Sequence, residues 1–153
     1  VRVVRVPVAY ATGSENVDAL LNGVTANLDA LHKLNDEIPD KQLSDAMDRM
    51  EKAGRNIADT VAKTPDKARN IDRFARYYLP EMVKLMGAYA ELEKQGVKGD
   101  NAAQIEADLR RNADTTAAAF ENLLDALYSA EAMDISTDIE VLDSILKSQN
   151  LTK

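Results

Sequence analysis

NIDRFARYYLPEMVKLMGAYAEL, residues 70–92, is the stretch on which the fold turns. It holds Phe74, one of two Phe in the chain, and Tyr77, Tyr78 and Tyr89, three of five Tyr. Apolar side chains recur along it at spacings of three and four, the period of a helix with one buried face. Pro80 stands inside that pattern. An interior proline removes one backbone hydrogen bond and crowds the carbonyl four residues back, here that of Arg76. A helix that kinks or restarts near Leu79 is therefore expected. Tyr78 shares a face with Phe74, Met82 and Leu85, whereas Tyr77 falls beside Phe74 and Arg73 and is the tyrosine placed to hydrogen-bond at a helix interface.

The pattern repeats outward from this stretch. Upstream, Ser14 is an N-cap for a first helix with Glu15 in its first turn, and Val17, Leu20, Leu21, Val24, Leu28, Leu31 and Leu34 form its apolar stripe. Pro39 disfavours helix at Ile38. A second helix from about Asp40 to Ala62 carries Leu43, Met47, Met50, Ile57 and Val61. Gly54 in its middle costs about 1 kcal/mol relative to Ala, which a close helix crossing would explain. Thr64-Pro65 starts the third helix, with Thr64 as cap and Pro65 at the first helical position. Gly96 signals its end.

Downstream, Asn101 and Gln104 have capping-box spacing. The fourth helix carries Ile105, Leu109, Ala113, Thr116, Phe120, Leu123, Leu124 and Leu127, with a tight contact expected at the alanine-rich 115–119. A break at 133–136 precedes the capping box Thr137-x-x-Glu140 and a short last helix ending near Asn150. At the other end, Val1 to Tyr10 is Val-rich and interrupted by Arg2, Arg5 and Pro7. This reads as an extended arm or linker remnant, since one strand has no partner to pair with.

The expected fold is all-α. It is an elongated antiparallel bundle of about four long helices plus a short C-terminal helix, with residues 1–13 an extended arm or linker remnant and residues 14–153 one domain. At 153 residues and 45% hydrophobic, the chain is long enough to bury a core. Aromatics at 5% leave that core to aliphatic side chains and Met.

Composition also excludes functions. A net charge of -7 argues against nucleic acid and against anionic lipid as partners. The absence of Cys removes disulfides, thiolate metal sites and Cys nucleophiles. His32 is the single His, and Asp29-x-x-His32 puts a carboxylate and an imidazole on one helix face. A di-iron bundle needs two Glu-x-x-His pairs and further Glu, so no metal and no cofactor is expected and His32 reads as a surface residue. No serine-hydrolase elbow and no phosphate-binding glycine loop is present. One cationic face stands out: Arg69, Arg73 and Arg76 beside Tyr77 are the candidate anion-binding or interface residues, with helix packing as the plainer reading. No catalytic residue is identified. The sequence begins at Val1 rather than Met and reads as a piece of a longer chain, with membrane contact expected only through upstream sequence.

The run Phe74-Ala75-Arg76-Tyr77-Tyr78-Leu79-Pro80, continuing to Lys84-Leu85 and Tyr89, resembles the signature of the 5-bromo-4-chloroindolyl phosphate hydrolysis protein family. Residues 38–57 resemble the family's preceding helix. Ala119-Phe120-Glu121-Asn122-Leu123-Leu124-Asp125, with Leu127, and the segment from Asp134 to Leu142, with Leu146 and Leu151, resemble later family segments in the right order. The resemblance spans about 35–151, leaving residues 1–34 outside it. Glu81 departs from the family's usual Thr, and Asn150 from its usual Gly.

The resemblance implies hydrolysis of an indolyl phosphate and association with toxic-anion (tellurite) resistance proteins. With no catalytic set and a helical pattern throughout, the expected function is a non-enzymatic helical interaction module, with a protein partner of the toxic-anion-resistance type or a second copy of itself. It would be cytoplasmic, near the inner face of the membrane. The alternative is a phosphatase or accessory hydrolase acting on phosphomonoesters such as indolyl phosphate. The resembling residues are packing and capping types and bring no catalytic motif with them.

Overall fold

The computed structural model describes residues 10–96 and 98–128. Most of the N-terminal arm and the whole expected last helix lie outside the described residues. The fold is an all-α bundle. Its elements are α1 (Glu15–Glu37), α2 (Lys41–Lys63), a 3-10 segment (Pro65–Ile71), a π turn (Phe74–Tyr78), α3 (Leu79–Lys94) and α4 (Asp100–Tyr128). No described helix is long and apolar enough to cross a membrane.

The chain's punctuation follows local chemistry. Ser14 caps α1, its side chain accepting from the Val17 N–H. Ahead of it Gly13 takes a φ of 96°, a left-handed turn open to glycine, and Asp18 accepts from both the N–H and the hydroxyl of Thr12. Ile38 is extended, as the residue before Pro39 must be. Asp40 caps α2 by accepting from Leu43 N–H at 2.9 Å. Gly96, at φ 65°, closes α3.

Two caps differ from expectation. Thr64 makes no side-chain cap, and its carbonyl instead starts the 3-10 segment by accepting from Lys67 N–H. Asn101 does not cap α4, because the helix begins a residue earlier, with Ala103 N–H donating to Gly99 carbonyl. Gln104 donates forward to Asp108 rather than back. The fourth helix thus starts behind a glycine that leaves its backbone free to enter the turn.

α2 lies between α1 and α4, while α1 also packs on α3 and the π turn. Close approach on both sides of α2 rests on small residues. A Cβ built on Gly54 would stand 2.6 Å from Leu28 Cδ2 of α1, so the glycine leaves the space that the Leu28 side chain fills. On the other side Ala113 and Ala117 of α4 are all but fully buried, in line with the tight contact expected of the alanine-rich run.

α3 stays farther from α4, and it is the π turn ahead of α3 that meets α4 through large rings. Phe74 and Phe120 meet edge to face with centroids 4.9 Å apart, a favoured aromatic geometry.

Polar links ring the core. Arg49 of α2 forks onto Glu121 of α4 at 2.7 and 3.2 Å, and Arg110 of α4 reaches Asp40 at 2.7 Å. Lys94 of α3 meets Glu37 of α1 at 2.7 Å. Between α1 and α2, Arg55 joins Asp29 and Glu51, and Glu51 also meets His32 Nδ1 at 2.9 Å. His32 is half-exposed, as expected, but it has a carboxylate partner on the neighbouring helix.

Candidate functional site

The cationic face picked from sequence sits where the backbone changes its winding. After α2 the chain tightens into seven residues of 3-10 helix. It then loosens into the π turn, in which Leu79 N–H donates to the carbonyl of Phe74, five residues back. Only after that does α3 run regularly, with Pro80 in its first turn. Leu79 therefore begins a new helix, as the proline required. Proline has no N–H to give and its ring crowds the carbonyl four residues behind. A wider turn just ahead of it relieves that crowding and moves the hydrogen-bond register by one residue.

The register shift decides which side chains meet. Arg73 donates to the hydroxyl of Tyr78 at 3.0 Å, and its guanidinium carbon is 5.6 Å from the centre of that ring. An α-helix would align residue 73 with 77; a π turn aligns it with 78. The hydrogen-bonding tyrosine is thus Tyr78, not Tyr77. Tyr78 is 1% exposed, so its ring belongs to the core while its hydroxyl emerges at the arginine. Tyr77 is half-buried and meets the Tyr78 ring edge-on, centroids 4.8 Å apart. Arg76 is exposed and held by Asp72 at 2.6 Å. Arg69 is exposed on the 3-10 segment.

Arg73, Tyr77 and Tyr78 therefore form one contact group. Arg76 joins a carboxylate on the preceding turn, and Arg69 lies upstream on a different kind of helix. Sequence reasoning missed Tyr78 as the partner of Arg73 and Asp72 as that of Arg76. The i,i+4 spacing of Asp72 and Arg76 was a readable signal for the second. The signal for the first was Pro80, read as a kink rather than as a register shift.

Electrostatic tuning elsewhere comes from interhelix pairs. Burial pushes the Asp40 carboxyl up, but the hydrogen bonds from Arg110 and from Leu43 N–H outweigh it and hold the group below the usual carboxylate range. Glu51 behaves alike: burial opposes ionisation, and hydrogen bonds from His32 and Arg55 prevail. Burial, the hydrogen bond to Glu93 and the nearby Glu106 carboxylate push the Tyr89 phenol above its usual range. Among the described residues, no group of three or more His, Cys, Asp or Glu side chains is arranged to hold a metal ion. A cleft of about 220 Å³ opens where α3 turns into α4, between Glu93 and Glu106 with Gly96, Gly99, Ala102 and Ala103.

The sequence matches the family described as 5-bromo-4-chloroindolyl phosphate hydrolysis protein over residues 11–142. The chain belongs to this family. The matched span takes in α1, which the resemblance from 35 onward had left out, and it ends before Leu146 and Leu151. Neither a curated protein nor a solved structure matches the chain. In this member of the indolyl phosphate hydrolysis family, the signature run from Phe74 to Pro80 is the π turn and the start of α3. Its Phe74, Tyr78 and Leu79 are buried.

Proposed function

We propose that this domain is a non-enzymatic protein-interaction module. Its contact face runs from the 3-10 segment to the exposed edge of the π turn, with Arg69, Arg73, Arg76 and Tyr77. Its partner is an acidic surface on a protein of the toxic-anion-resistance type, met in the cytoplasm near the inner face of the membrane. One observation carries the reading. The family signature is built into packing and backbone winding, with Phe74, Tyr78 and Leu79 inside the core, while Arg76 within it and Arg69 and Arg73 just ahead of it stay exposed. A cationic edge on a chain of net charge -7 is also a local exception that an acidic partner can read.

The test is binding of the purified domain to a toxic-anion-resistance protein, with the triple change Arg69→Glu, Arg73→Glu and Arg76→Glu. Binding that weakens at least tenfold in the triple variant while helicity is retained supports the reading. Binding indifferent to the change moves the interface elsewhere on the bundle, and no binding to such proteins removes the partner assignment.

A second reading is phosphomonoester hydrolysis, favoured by the family's description and by two arginines beside a tyrosine pair. Here Arg73 and Arg76 would hold the phosphate oxygens. Turnover of an indolyl phosphate by pure protein, with and without divalent cations, decides it. Activity lost in Arg73→Ala and Arg76→Ala supports hydrolysis, and an inert parent protein removes it.

A further inference from the structure

Among the described residues, three buried side-chain atoms have no hydrogen-bonding partner: Glu81 Oε2, Asn112 Nδ2 and Thr116 Oγ1. Thr116 is 0% exposed and Asn112 8%. Leaving such groups unpaired forfeits their hydration with nothing in return.

Register places the three on facing rows of α3 and α4. Glu81, Leu85 and Tyr89 form one row along α3, and Asn112, Thr116 and Phe120 form one row along α4, each at i, i+4, i+8. The rows run in opposite directions. At one end Phe120 touches Phe74. At the other, Tyr89 lies in the field of Glu106 and Arg110. Glu81 stands midway between Phe74 and Tyr89, and Asn112 and Thr116 stand midway between Arg110 and Phe120. The opposite flank of α4 is occupied by α2, through Asp114 and Glu121 against Arg49. The orphan atoms therefore belong to the wide α3–α4 seam.

We propose that Glu81, Asn112 and Thr116 form one buried site on the α3–α4 seam that binds a neutral hydroxyl group, from water or from a small alcohol. The donor and acceptor set selects this chemistry. Glu81 accepts, the Asn112 amide donates, and the Thr116 hydroxyl does either. An O–H group satisfies all three at once. An anion meets the Glu81 carboxylate, and a simple cation leaves the Asn112 N–H unpaired. The site is independent of the arginine edge assigned to partner binding.

Crystal structures at a resolution that shows ordered solvent test this directly, from crystals grown without polyols and from crystals soaked in ethanol. An oxygen bonded to at least two of the three side chains supports the site. Its persistence unchanged after soaking identifies water, and its replacement by an ethanol oxygen identifies an alcohol site. Side chains that bond only to each other, or a metal or ammonium ion in their midst, overturn it. Thermal unfolding provides a second readout. Asn112→Leu and Thr116→Val should each lower the midpoint, and the double variant should fall by less than the two losses combined, since one guest is lost only once. Additive losses overturn the shared site.

Discussion

Along α2 the buried side chains Leu43, Met47, Met50, Ile57 and Val61 keep spacings that follow the helical period, and Gly54 fits the same face against Leu28 of α1. From Pro65 to Lys94 the same helical content is wound three ways, tight, wide and then regular. Both regions bury aliphatic and Met side chains in one continuous core. The difference lies in what fixes the backbone. In α2, side-chain periodicity is enough, because no proline interrupts the α-helix. In the 65–94 region Pro80 does, and the backbone answers before the side chains are placed. Contacts in α2 are therefore predictable by counting, while those around the π turn are displaced by one.

The comparison can be pressed hardest at the joint between the two regions. Phe120 bridges α4 to the π turn, and Phe120→Ala should destabilise the fold by about 3–5 kcal/mol, read from urea unfolding. A smaller loss would mean that the π turn repacks to close the space. Gly54→Val tests the close approach within the regular region. It forces a branched side chain into Leu28 and should cost about 1–3 kcal/mol through overpacking; a neutral outcome would show α1 free to slide.

Tyr78→Phe tests the displaced register. Loss of the Arg73 hydrogen bond should cost about 0.5–1.5 kcal/mol, whereas Tyr77→Phe should cost much less. The reverse order would restore ordinary α-helical spacing and remove the π turn from the account.

Acid titration probes the ends of α2. Asp40, whose folded carboxyl is held below its value of 3.8 in the free state, adds stability that is complete above that pH and is lost as pH falls through the depressed value. Asp40→Asn should flatten the acid limb of urea midpoint against pH, and an unchanged slope would assign it to Glu37, Glu51 and Glu121, which are lowered by similar pairings. The smallest effect belongs to the exposed Arg49–Glu121 fork. Arg49→Ala should cost about 0.2–1 kcal/mol and less at high salt, seen as a salt-dependent difference in unfolding midpoint.

Much of the fold was readable because the stripes of α1, α2 and α4 carry their own period and because Ser14, Pro39 and Gly96 mark boundaries by backbone chemistry alone. Thr64 and Asn101 misled because capping residue types also occur beside helix starts that are set by Pro65 and Gly99. The candidate face was legible only as composition. Three arginines and a tyrosine could be picked out, but the pairing of Arg73 with Tyr78 depends on a turn whose width no i,i+4 rule contains. The α3–α4 seam was least legible, since Glu81 and Asn112 are 31 positions apart in the chain and nothing local to either signals the other.

The π turn has a further consequence, for how the chain tolerates changes of length. Between Phe74 and Tyr78 the backbone holds one residue more than an α-helix needs for the same advance. Removing a single residue there would tighten the turn to α geometry and leave the faces of both flanking helices where they are. The same deletion inside α2 would rotate every later side chain by about 100°. A one-residue deletion is thus expected to disturb this bundle less at the π turn than inside α2.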